Sequence, residues 1–313
     1  MYYIGVDLGG TNIAIGLVNE KAEIVHKESV KTALPRPASE VVKSICDLTN
    51  QVVKNAGVCM DEVKSIGVGL PGCCDNKNGI LVSAVNLGYE NVPFRQEINK
   101  YIDKPVFLEN DASVAALAEY INFNEEMECF VAITLGTGVG GGVIINGKIF
   151  SGFNGAGTEL GHTVINVDGN ACNCGRKGCW ETYASATGLI RLTKEEMEKS
   201  PDSIMYTLCN GELGKVSGRT SFQAAKQGDE AGKRVVDKYI KYVAEGITNI
   251  INIFQPEKLV IGGGVCGEGD YLLNPIVKYV NENQYVKKLK STEISIAKLG
   301  NDAGIIGAAM LGL

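Results

Sequence analysis

The chain has 313 residues, of which 45% are hydrophobic and 21% charged, values ordinary for a globular protein of one large or two smaller domains. Its net charge of −6 excludes a basic field that would attract nucleic acid or an anionic membrane. The first residues lack the basic and apolar segments of a signal peptide, and no apolar run is long enough to span a bilayer. We therefore expect a cytoplasmic protein whose ten cysteines are reduced or bind metal.

The N-terminal part of the chain predicts a β-meander followed by alternating helices and strands. Apolar residues in the first predicted helix recur at helical spacing, and Gly57 stands where a helix should end. The predicted elements are, in order, strands at 2–6, 13–18 and 23–30, a helix at 38–56, strands at 63–70 and 105–109, and a helix from Asp111.

The pattern then restarts. A strand at 129–135, a glycine turn at 136–142 and a strand at 143–149 repeat the first hairpin, so that Gly9 corresponds to Gly136. Two copies of one meander-plus-helices unit predict two similar α/β domains facing each other across a cleft. The remaining predicted elements are helices at 184–200 and 229–254, a strand at 257–261, a helix opening at Pro275, a strand at 292–297 and a helix at 302–311.

Three glycine turns follow strand-like segments and are candidate phosphate sites. Glycine lets backbone N–H groups approach phosphate oxygens, and a threonine hydroxyl adds a donor. One such turn alone favours an ordinary hairpin, but three, two of them repeat-related and beside threonine, favour phosphate binding. None matches the P-loop or the dinucleotide-binding glycine motif. The turns are Gly9-Gly10-Thr11, Gly136-Thr137-Gly138 continuing to Gly142, and Gly262-Gly263-Gly264.

Two aspartates lie beside predicted turns, and each has two interpretations. Asp7, at the end of the first strand, either caps a turn or coordinates Mg²⁺. Asp111, in Glu109-Asn110-Asp111-Ala112, either belongs to an ordinary helix N-cap or takes the proton from an attacking hydroxyl. The local residues alone leave both questions open.

The most specific feature is a cluster with the spacing H-x9-C-x-C-x4-C. Its members are His162, Cys172, Cys174 and Cys179. Zinc prefers thiolate and imidazole ligands, and four protein ligands predict a structural rather than a catalytic site. Glu159 and Glu181 flank the loop outside this ligand set, which suggests a loop that presents carboxylates to a ligand.

These motifs occur together and in order, and through them the chain resembles the ROK family (repressors, open reading frames and sugar kinases) over about residues 2–312. Within that family it is most similar to the bacterial glucokinases. The resemblance implies an α/β fold of two actin/hexokinase-like (ribonuclease H-like) domains. It further implies a small N-terminal domain at 1–118 plus 300–313, and a larger domain at 119–299 that carries the zinc loop.

The resemblance implies an ATP-dependent hexose kinase, glucokinase before others, with Asp111 as the catalytic base and a structural Zn²⁺ on His162 and the three cysteines. Residues expected at the sugar are Gly72, Asn86, Asn110, Asp111, Glu159, His162 and Glu181. Residues expected at ATP and Mg²⁺ are Asp7, Gly9, Gly10, Thr11, Asn12, Gly136, Thr137, Gly138, Gly263 and Gly264. Many family members have Lys where Asn12 stands and Trp where Tyr89 stands.

Alternatives remain open. The sugar is glucose or another hexose such as fructose, mannose, N-acetylmannosamine or N-acetylglucosamine, and some family members accept polyphosphate as donor. A regulator that senses sugar without catalysis is a further alternative. Family repressors carry an N-terminal helix-turn-helix, whereas the first strand here is expected from Tyr2. The expected partners are a sugar and ATP, with no nucleic acid and no membrane, in a homodimer or higher homo-oligomer.

Overall fold

The structure is a computed structural model that describes residues 1–313. Its strands are β1 (Tyr2–Leu8), β2 (Asn12–Asn19), β3 (Ile24–Lys31), β4 (Val63–Leu70), β5 (Cys73–Asp75), β6 (Ile80–Ala84), β7 (Tyr89–Val92), β8 (Val106–Asn110), β9 (Cys129–Leu135), β10 (Val139–Ile145), β11 (Lys148–Ile149), β12 (Lys258–Gly262) and β13 (Glu293–Ile296). Its helices are α1 (Ala38–Asn55), α2 (Phe94–Asn99), α3 (Asp111–Phe123), α4 (Glu181–Ala184), α5 (Ala186–Lys199), α6 (Met205–Leu208), α7 (Thr220–Lys226), α8 (Glu230–Phe254), α9 (Asp270–Asn283) and α10 (Ala303–Met310).

Two five-stranded sheets share one strand order. The first runs β3-β2-β1-β4-β8 and the second β11-β10-β9-β12-β13, so each strand of one sheet has a counterpart in the other. In the first sheet β1 pairs antiparallel with β2 and parallel with β4. The repeat predicted from the glycine hairpins is therefore present in the strand order, and the predicted α/β fold class is confirmed.

Contacts along the chain divide it into two compact units. Unit 1 comprises Met1–Ala132, Gly142–Thr158 and Lys298–Leu313, and unit 2 comprises Ile133–Gly141 and Glu159–Ala297. The last residues of the chain thus belong to the same unit as the first. The predicted domain boundaries at 118/119 and 299/300 stay a prediction.

In unit 1 the C-terminal helix α10 lies directly on the sheet. Glu119, a buried carboxylate of α3, accepts the N–H groups of Lys298 at 3.1 Å and Leu299 at 2.8 Å, which fixes the start of this segment. Helix α10 then packs on β1 and β4. A Cβ at Gly67 of β4 would lie 1.7 Å from the carbonyl oxygen of Ala308, so only glycine permits this close approach.

In unit 2 the long helix α8 packs against α4, α5, α7 and α9. One face of α8 is apolar and buried, with Val236, Val243 and Ile247 among its core residues. The indole of Trp180 is fully buried, and its Nε1 donates to the carbonyl oxygen of Tyr242 in α8 at 2.8 Å. None of the helices has the length and apolar character needed to cross a membrane.

Two local predictions differ from the structure, and several elements were not predicted. The small sheet β5-β6-β7 and the helices α2, α6 and α7 had not been predicted. The glycine turn predicted at 136–142 ends at Gly138, because a hairpin needs only a few loop residues and β10 begins at Val139. Pro275 does not open a helix but lies inside α9, which begins at Asp270 and is anchored before the proline by buried Leu272.

Replacing Gly67 with alanine should strongly destabilise the protein. The new methyl group meets a backbone oxygen of α10, so the helix must move off the sheet. We expect the free energy of unfolding to fall by about 1–3 kcal/mol or more. Urea unfolding measures this change. The matched control is Gly214→Ala, since no heavy atom lies within 4 Å of a Cβ built there. Equal unfolding midpoints for the two variants would contradict the proposed packing.

Candidate active site and metal-binding loop

The four residues of the predicted metal cluster converge in unit 2. Their ligand atoms all lie within 4.8 Å of one another. His162 Nδ1 is 3.6 Å from Cys172 Sγ, and Cys174 Sγ is 3.6 Å from Cys179 Sγ. A tetrahedral ion with metal–sulfur bonds of about 2.3 Å holds its ligand atoms about 3.8 Å apart, whereas a disulfide needs about 2.05 Å. The donor set therefore fits a tetrahedral metal ion.

A small hairpin turns these thiols toward one another. Isolated β-bridges join Val164 to Cys179 and Ala171 to Lys177, and the Cys172 N–H donates to the carbonyl oxygen of Arg176 at 2.9 Å. Burial raises the pKa of the Cys179 thiol to about 12, while a hydrogen bond from the Arg176 N–H lowers the pKa of exposed Cys174. Because metal ligands must be thiolates, an ion bound here must displace the proton of Cys179.

The glutamates that flank the loop lie in different environments. Glu159 is exposed and precedes the short 3₁₀ turn Leu160–His162, where its carbonyl oxygen accepts the His162 N–H at 3.0 Å. Glu181 begins α4, and its Oε2 accepts the N–H of Val139 at 3.0 Å. The Glu181 carboxylate therefore lies against the Gly136–Gly138 turn, a contact that the sequence did not predict.

Asn110 and Asp111 lie where β8 ends and α3 begins. The Asn110 Oδ1 accepts the N–H groups of Ala112 at 2.9 Å and Ser113 at 3.2 Å, so Asn110 is an N-cap as well as a candidate sugar ligand. Its Nδ2 donates to the carbonyl oxygen of Gly72 at 3.1 Å. Asp111 Oδ1 accepts the Ala112 N–H at 2.7 Å, at a helix N-terminus that attracts negative charge.

Glu109, next to this pair, is a buried carboxylate whose role sequence analysis missed. Asn76 Nδ2 lies 2.5 Å from its Oε2, and its Oε1 accepts the Asn110 N–H at 2.9 Å. Burial raises the pKa of Glu109 although both hydrogen bonds oppose the shift. Burial, followed by the charge of Glu109, also raises the pKa of the Cys74 thiol. Glu109 thus positions the backbone of Asn110 from inside the core.

The first glycine turn is a hairpin that buried Thr32 holds. The Gly9 N–H donates to Asn12 O at 2.9 Å, and the Thr32 hydroxyl donates to Gly9 O at 2.7 Å. Gly10, Thr11 and Asn12 are exposed and accessible to a ligand. Burial raises the pKa of Asp7, which lies near the end of β1. Thr32 was not predicted, because nothing in its local sequence marks it as the partner of the turn.

The Asn86 segment lies beside this first turn. A Cβ built on Gly10 would be 3.9 Å from the carbonyl oxygen of Asn86, within unit 1. Gly72, which precedes β5 with φ +108°, has room only for hydrogen, since a Cβ would be 2.1 Å from Ser83 O. Residues predicted at the sugar and residues predicted at the phosphates are thus neighbours on this unit.

The second and third glycine turns meet in unit 2. The Gly136 N–H donates to Gly138 O at 3.0 Å, and exposed Thr137 lies between them. Gly263, with φ +95°, lies against Leu135, the residue before the second turn, so that a Cβ there would be 2.4 Å from Leu135 O. Gly264 has no heavy atom within 4 Å of its missing side chain and leaves open space.

A pocket of about 450 Å³ opens beside Thr137 in unit 2. Its lining includes Thr137, Cys172, Glu181 and three residues that were not predicted, namely Asn170, Thr187 and Arg191. The volume lies in the range of small-molecule sites. Arg191 donates to Thr182 O at 3.1 Å and pairs with Glu195, so it supplies a fixed cation at the wall.

The predicted residues divide between the units. Asp7, Gly9, Gly10, Thr11, Asn12, Gly72, Asn86, Asn110 and Asp111 belong to unit 1, and Gly136, Thr137, Gly138, Glu159, His162, Cys172, Cys174, Cys179, Glu181, Gly263 and Gly264 belong to unit 2. Within unit 1, Asn110 meets Gly72 and Gly10 lies beside Asn86, and within unit 2 Glu181 meets the Gly136–Gly138 turn. Their roles in binding and catalysis stay predictions.

Duplicated five-stranded sheets with a glycine turn after the first strand of each define a protein of the actin/hexokinase-like class. Within that class the chain belongs to the ROK family, since the family model described as ROK family matches residues 3–313.

The chain resembles several ROK proteins over almost its whole length. It is 36% identical to a glucokinase of Halalkalibacterium halodurans over 312 residues, which are 99% of this chain and 94% of that protein. It is 36% identical to a glucokinase of Thermotoga maritima, covering 98% of this chain and 96% of that one. A ROK family glucokinase from Streptomyces griseus, solved in complex with glucose and AMPPNP, matches with a TM-score of 0.82 and 33% identity, covering 99% of both chains.

The Glu109→Gln variant should gain stability relative to the wild type as pH rises. Burial raises the pKa of Glu109 in the folded protein above its value near 4.5 in the unfolded chain. The stability that protonated Glu109 contributes is therefore complete below the unfolded-state pKa and is lost as pH rises through the folded-state pKa. Glutamine cannot ionise and escapes this loss. Melting temperatures at about pH 5 and about pH 8 measure the effect, with exposed Glu126→Gln as control. A pH-independent difference from the wild type would argue against a buried ionisable Glu109.

Proposed function

We propose that this protein is an ATP-dependent hexose kinase that phosphorylates glucose to glucose 6-phosphate and releases ADP. The observation that carries the proposal is the likeness to glucokinases along nearly the whole chain, at 36% identity. The placement of Asp111 at the junction of β8 and α3 supplies a carboxylate suited to the chemistry.

Asp111 is the proposed general base. The 6-hydroxyl of the sugar donates to the Asp111 carboxylate and attacks the γ-phosphorus, forming an O–P bond as the bond to the ADP oxygen breaks. The hydroxyl proton passes to Asp111. The Ala112 N–H fixes the orientation of this carboxylate, and the N-terminus of α3 stabilises its charge. Phosphoryl transfer depends mainly on such positioning and on charge stabilisation.

The sugar hydroxyls are proposed to bind Glu159, His162 and Glu181 in unit 2 and the Gly72, Asn86 and Asn110 group in unit 1. Since His162 Nδ1 faces Cys172, the proton of a neutral, metal-bound imidazole is on Nε2 and can be donated to a hydroxyl oxygen. One amide hydrogen of Asn110 is already committed to Gly72, which leaves the other for the sugar.

The metal cluster is proposed to hold a structural Zn²⁺ on His162, Cys172, Cys174 and Cys179. A bound zinc would supply rigidity to the loop rather than a Lewis acid, because all four positions are occupied by protein side chains. His162 and the flanking glutamates would then meet the sugar already oriented.

The phosphates of ATP are proposed to bind the two threonine-containing turns, with Gly263 and Gly264 at the adenosine. Thr11 and Thr137 are exposed and offer hydroxyl and backbone donors. Asp7, a largely buried carboxylate next to the first turn, is the proposed ligand of Mg²⁺ or of its water molecules. We further propose that the active form is a homodimer or higher homo-oligomer.

A sugar panel tests the proposal. ADP release is measured with glucose, fructose, mannose, N-acetylmannosamine and N-acetylglucosamine, and with ATP or polyphosphate as donor. We expect the highest kcat/KM with glucose and ATP. A higher kcat/KM with another hexose would identify that hexose as the substrate instead of glucose. If no sugar stimulates ADP release, a regulator without catalysis is favoured.

The Asp111→Asn variant tests the proposed base. It should keep its fold and lose at least about 10²-fold in kcat, the lower bound of what a positioned base contributes. Glucose binding and circular dichroism check that the variant is folded, and exposed Asp103→Asn is the control expected to retain activity. Near-normal turnover of Asp111→Asn would exclude this residue as the base.

Removal of the proposed zinc should weaken sugar binding and stability together. We expect about one Zn²⁺ per chain by elemental analysis, and its loss in Cys174→Ala. The melting temperature should fall and the glucose Kd rise, whereas Cys59→Ser, which changes an exposed cysteine outside the cluster and keeps an acceptor at its helix N-cap, should change neither. A metal-free protein with an unchanged glucose KM would be incompatible with this role.

A further inference from the structure

One short stretch of unit 2 holds the turn between β9 and β10 at three points. Glu181 Oε2 accepts the Val139 N–H at 3.0 Å, the Ala186 N–H donates to Gly136 O at 2.8 Å, and the Thr187 hydroxyl donates to Thr137 O at 2.8 Å. We call Glu181, Ala186 and Thr187 the turn clamp. The clamp begins two residues after Cys179, a member of the metal cluster.

The absence of a side chain at Gly138 leaves the space that the Glu181 carboxylate occupies. A Cβ built on Gly138 would lie 2.2 Å from Glu181 Oε2. The φ angle of Gly138 is not positive, so the backbone conformation of the turn does not require glycine at this position. A side chain at this position would take the space of the Glu181 carboxylate and displace it from the Val139 N–H.

The clamp and the turn line the same pocket. Thr137, Glu181, Ser185 and Thr187 all contribute to the 450 Å³ cavity, and Arg191 adds a cation to its wall. The hydrogen bonds of the clamp therefore fix the shape of a surface that carries hydroxyl groups and the guanidinium of Arg191, which is paired with Glu195. Such a surface suits the phosphates of a nucleoside triphosphate.

We infer that Glu181 is a positioning residue for the phosphoryl donor: by accepting the Val139 N–H it holds the Gly136–Gly138 turn in the form that binds phosphate. This inference rests on the proposed kinase function and extends it, because Glu181 is expected at the sugar as well. One carboxylate then serves both substrates, with Oε2 on the turn and the carboxylate charge available to a sugar hydroxyl.

The two roles have different chemical requirements. Holding the Val139 N–H needs any carbonyl-type oxygen, which glutamine retains and alanine lacks. Binding a sugar hydroxyl by a charge-assisted hydrogen bond needs the carboxylate itself, which both substitutions remove. Glu181→Gln and Glu181→Ala should therefore agree in their effect on sugar binding and differ in their effect on donor binding.

Calorimetric titration of the full-length, metal-replete protein tests this difference. The Kd of the Mg²⁺ complex of AMPPNP is measured without sugar, and the Kd of glucose without donor. Glu181→Ala should weaken AMPPNP binding by about tenfold, as expected for the loss of one hydrogen bond to a charged group, while Glu181→Gln stays within about twofold. Both variants should weaken glucose binding.

Glu159→Ala is the matched control. Glu159, which is exposed, is the other glutamate expected at the sugar, and its side chain makes no hydrogen bond to the turn. This variant should weaken glucose binding and leave AMPPNP binding unchanged. Thr187→Val, which removes a second bond of the clamp, should weaken AMPPNP binding, and Thr187→Ser should restore it. If Glu181→Ala melts below the assay temperature, the AMPPNP affinities of Thr187→Val and Thr187→Ser test the role of the turn clamp instead.

Two results overturn the inference while the kinase function stands. In the first, the AMPPNP Kd of Glu181→Ala stays within about twofold of the wild-type value. In the second, Glu181→Ala and Glu181→Gln lose AMPPNP affinity to the same extent. A wild-type protein that binds neither AMPPNP nor glucose overturns both the inference and the proposed function.

Discussion

The anchoring of Trp180 is the contact on which the candidate site of unit 2 depends most. Its indole is fully buried, its Nε1 bonds to α8, and its backbone N–H donates to Thr163 O at 2.7 Å. Cys179 precedes it and Glu181 follows it, so one buried aromatic ring fixes a cysteine of the His/Cys cluster on one side and a carboxylate on the other. Burying a side chain of this size contributes more stability than any single polar contact of the loop.

Four carboxylates, three in unit 1 and one in unit 2, show how position sets chemistry. Asp111 lies at a helix N-terminus, where negative charge is stabilised, and Glu181 accepts a backbone N–H of a glycine turn. Glu109 and Asp7 are buried, and burial raises the pKa of each. Asp111 and Glu181, which are half-buried and hydrogen-bonded, are thus suited to accept protons or hydroxyls, whereas Glu109 is suited to hold the backbone of Asn110 beside Asp111.

The sequence predicted those parts of the structure that local patterns encode. The spacing of His162 and the three cysteines was sufficient to predict the cluster, because a short loop that contains all four side chains brings them close to one another. The hairpin turns at Gly9 and Gly136 followed from glycine after an apolar strand, and the shared strand order of the sheets followed from their repetition. The strands of the β5-β6-β7 sheet were missed because each has only three to five residues, too few to show a clear alternation of apolar and polar side chains.

Contacts between distant residues account for most of what was not predicted. Asn76 meets Glu109, Thr32 meets Gly9 and Glu181 meets Val139, and in each pair the partners are at least 23 residues apart in the chain. Neither periodicity nor a local motif encodes such a partner. Pro275 was misplaced for a related reason, since the buried contact of Leu272 outweighs the local preference of proline for a first helical turn.

The chain has a single tryptophan, and it is Trp180. Its intrinsic tryptophan fluorescence therefore comes from one place, a buried environment between Cys179 of the His/Cys cluster and the carboxylate that contacts the glycine turn. Any event that loosens this loop lets water reach the indole and shifts its emission to longer wavelength. The protein thus contains its own optical reporter for the state of the loop, without a label and without interference from a second indole.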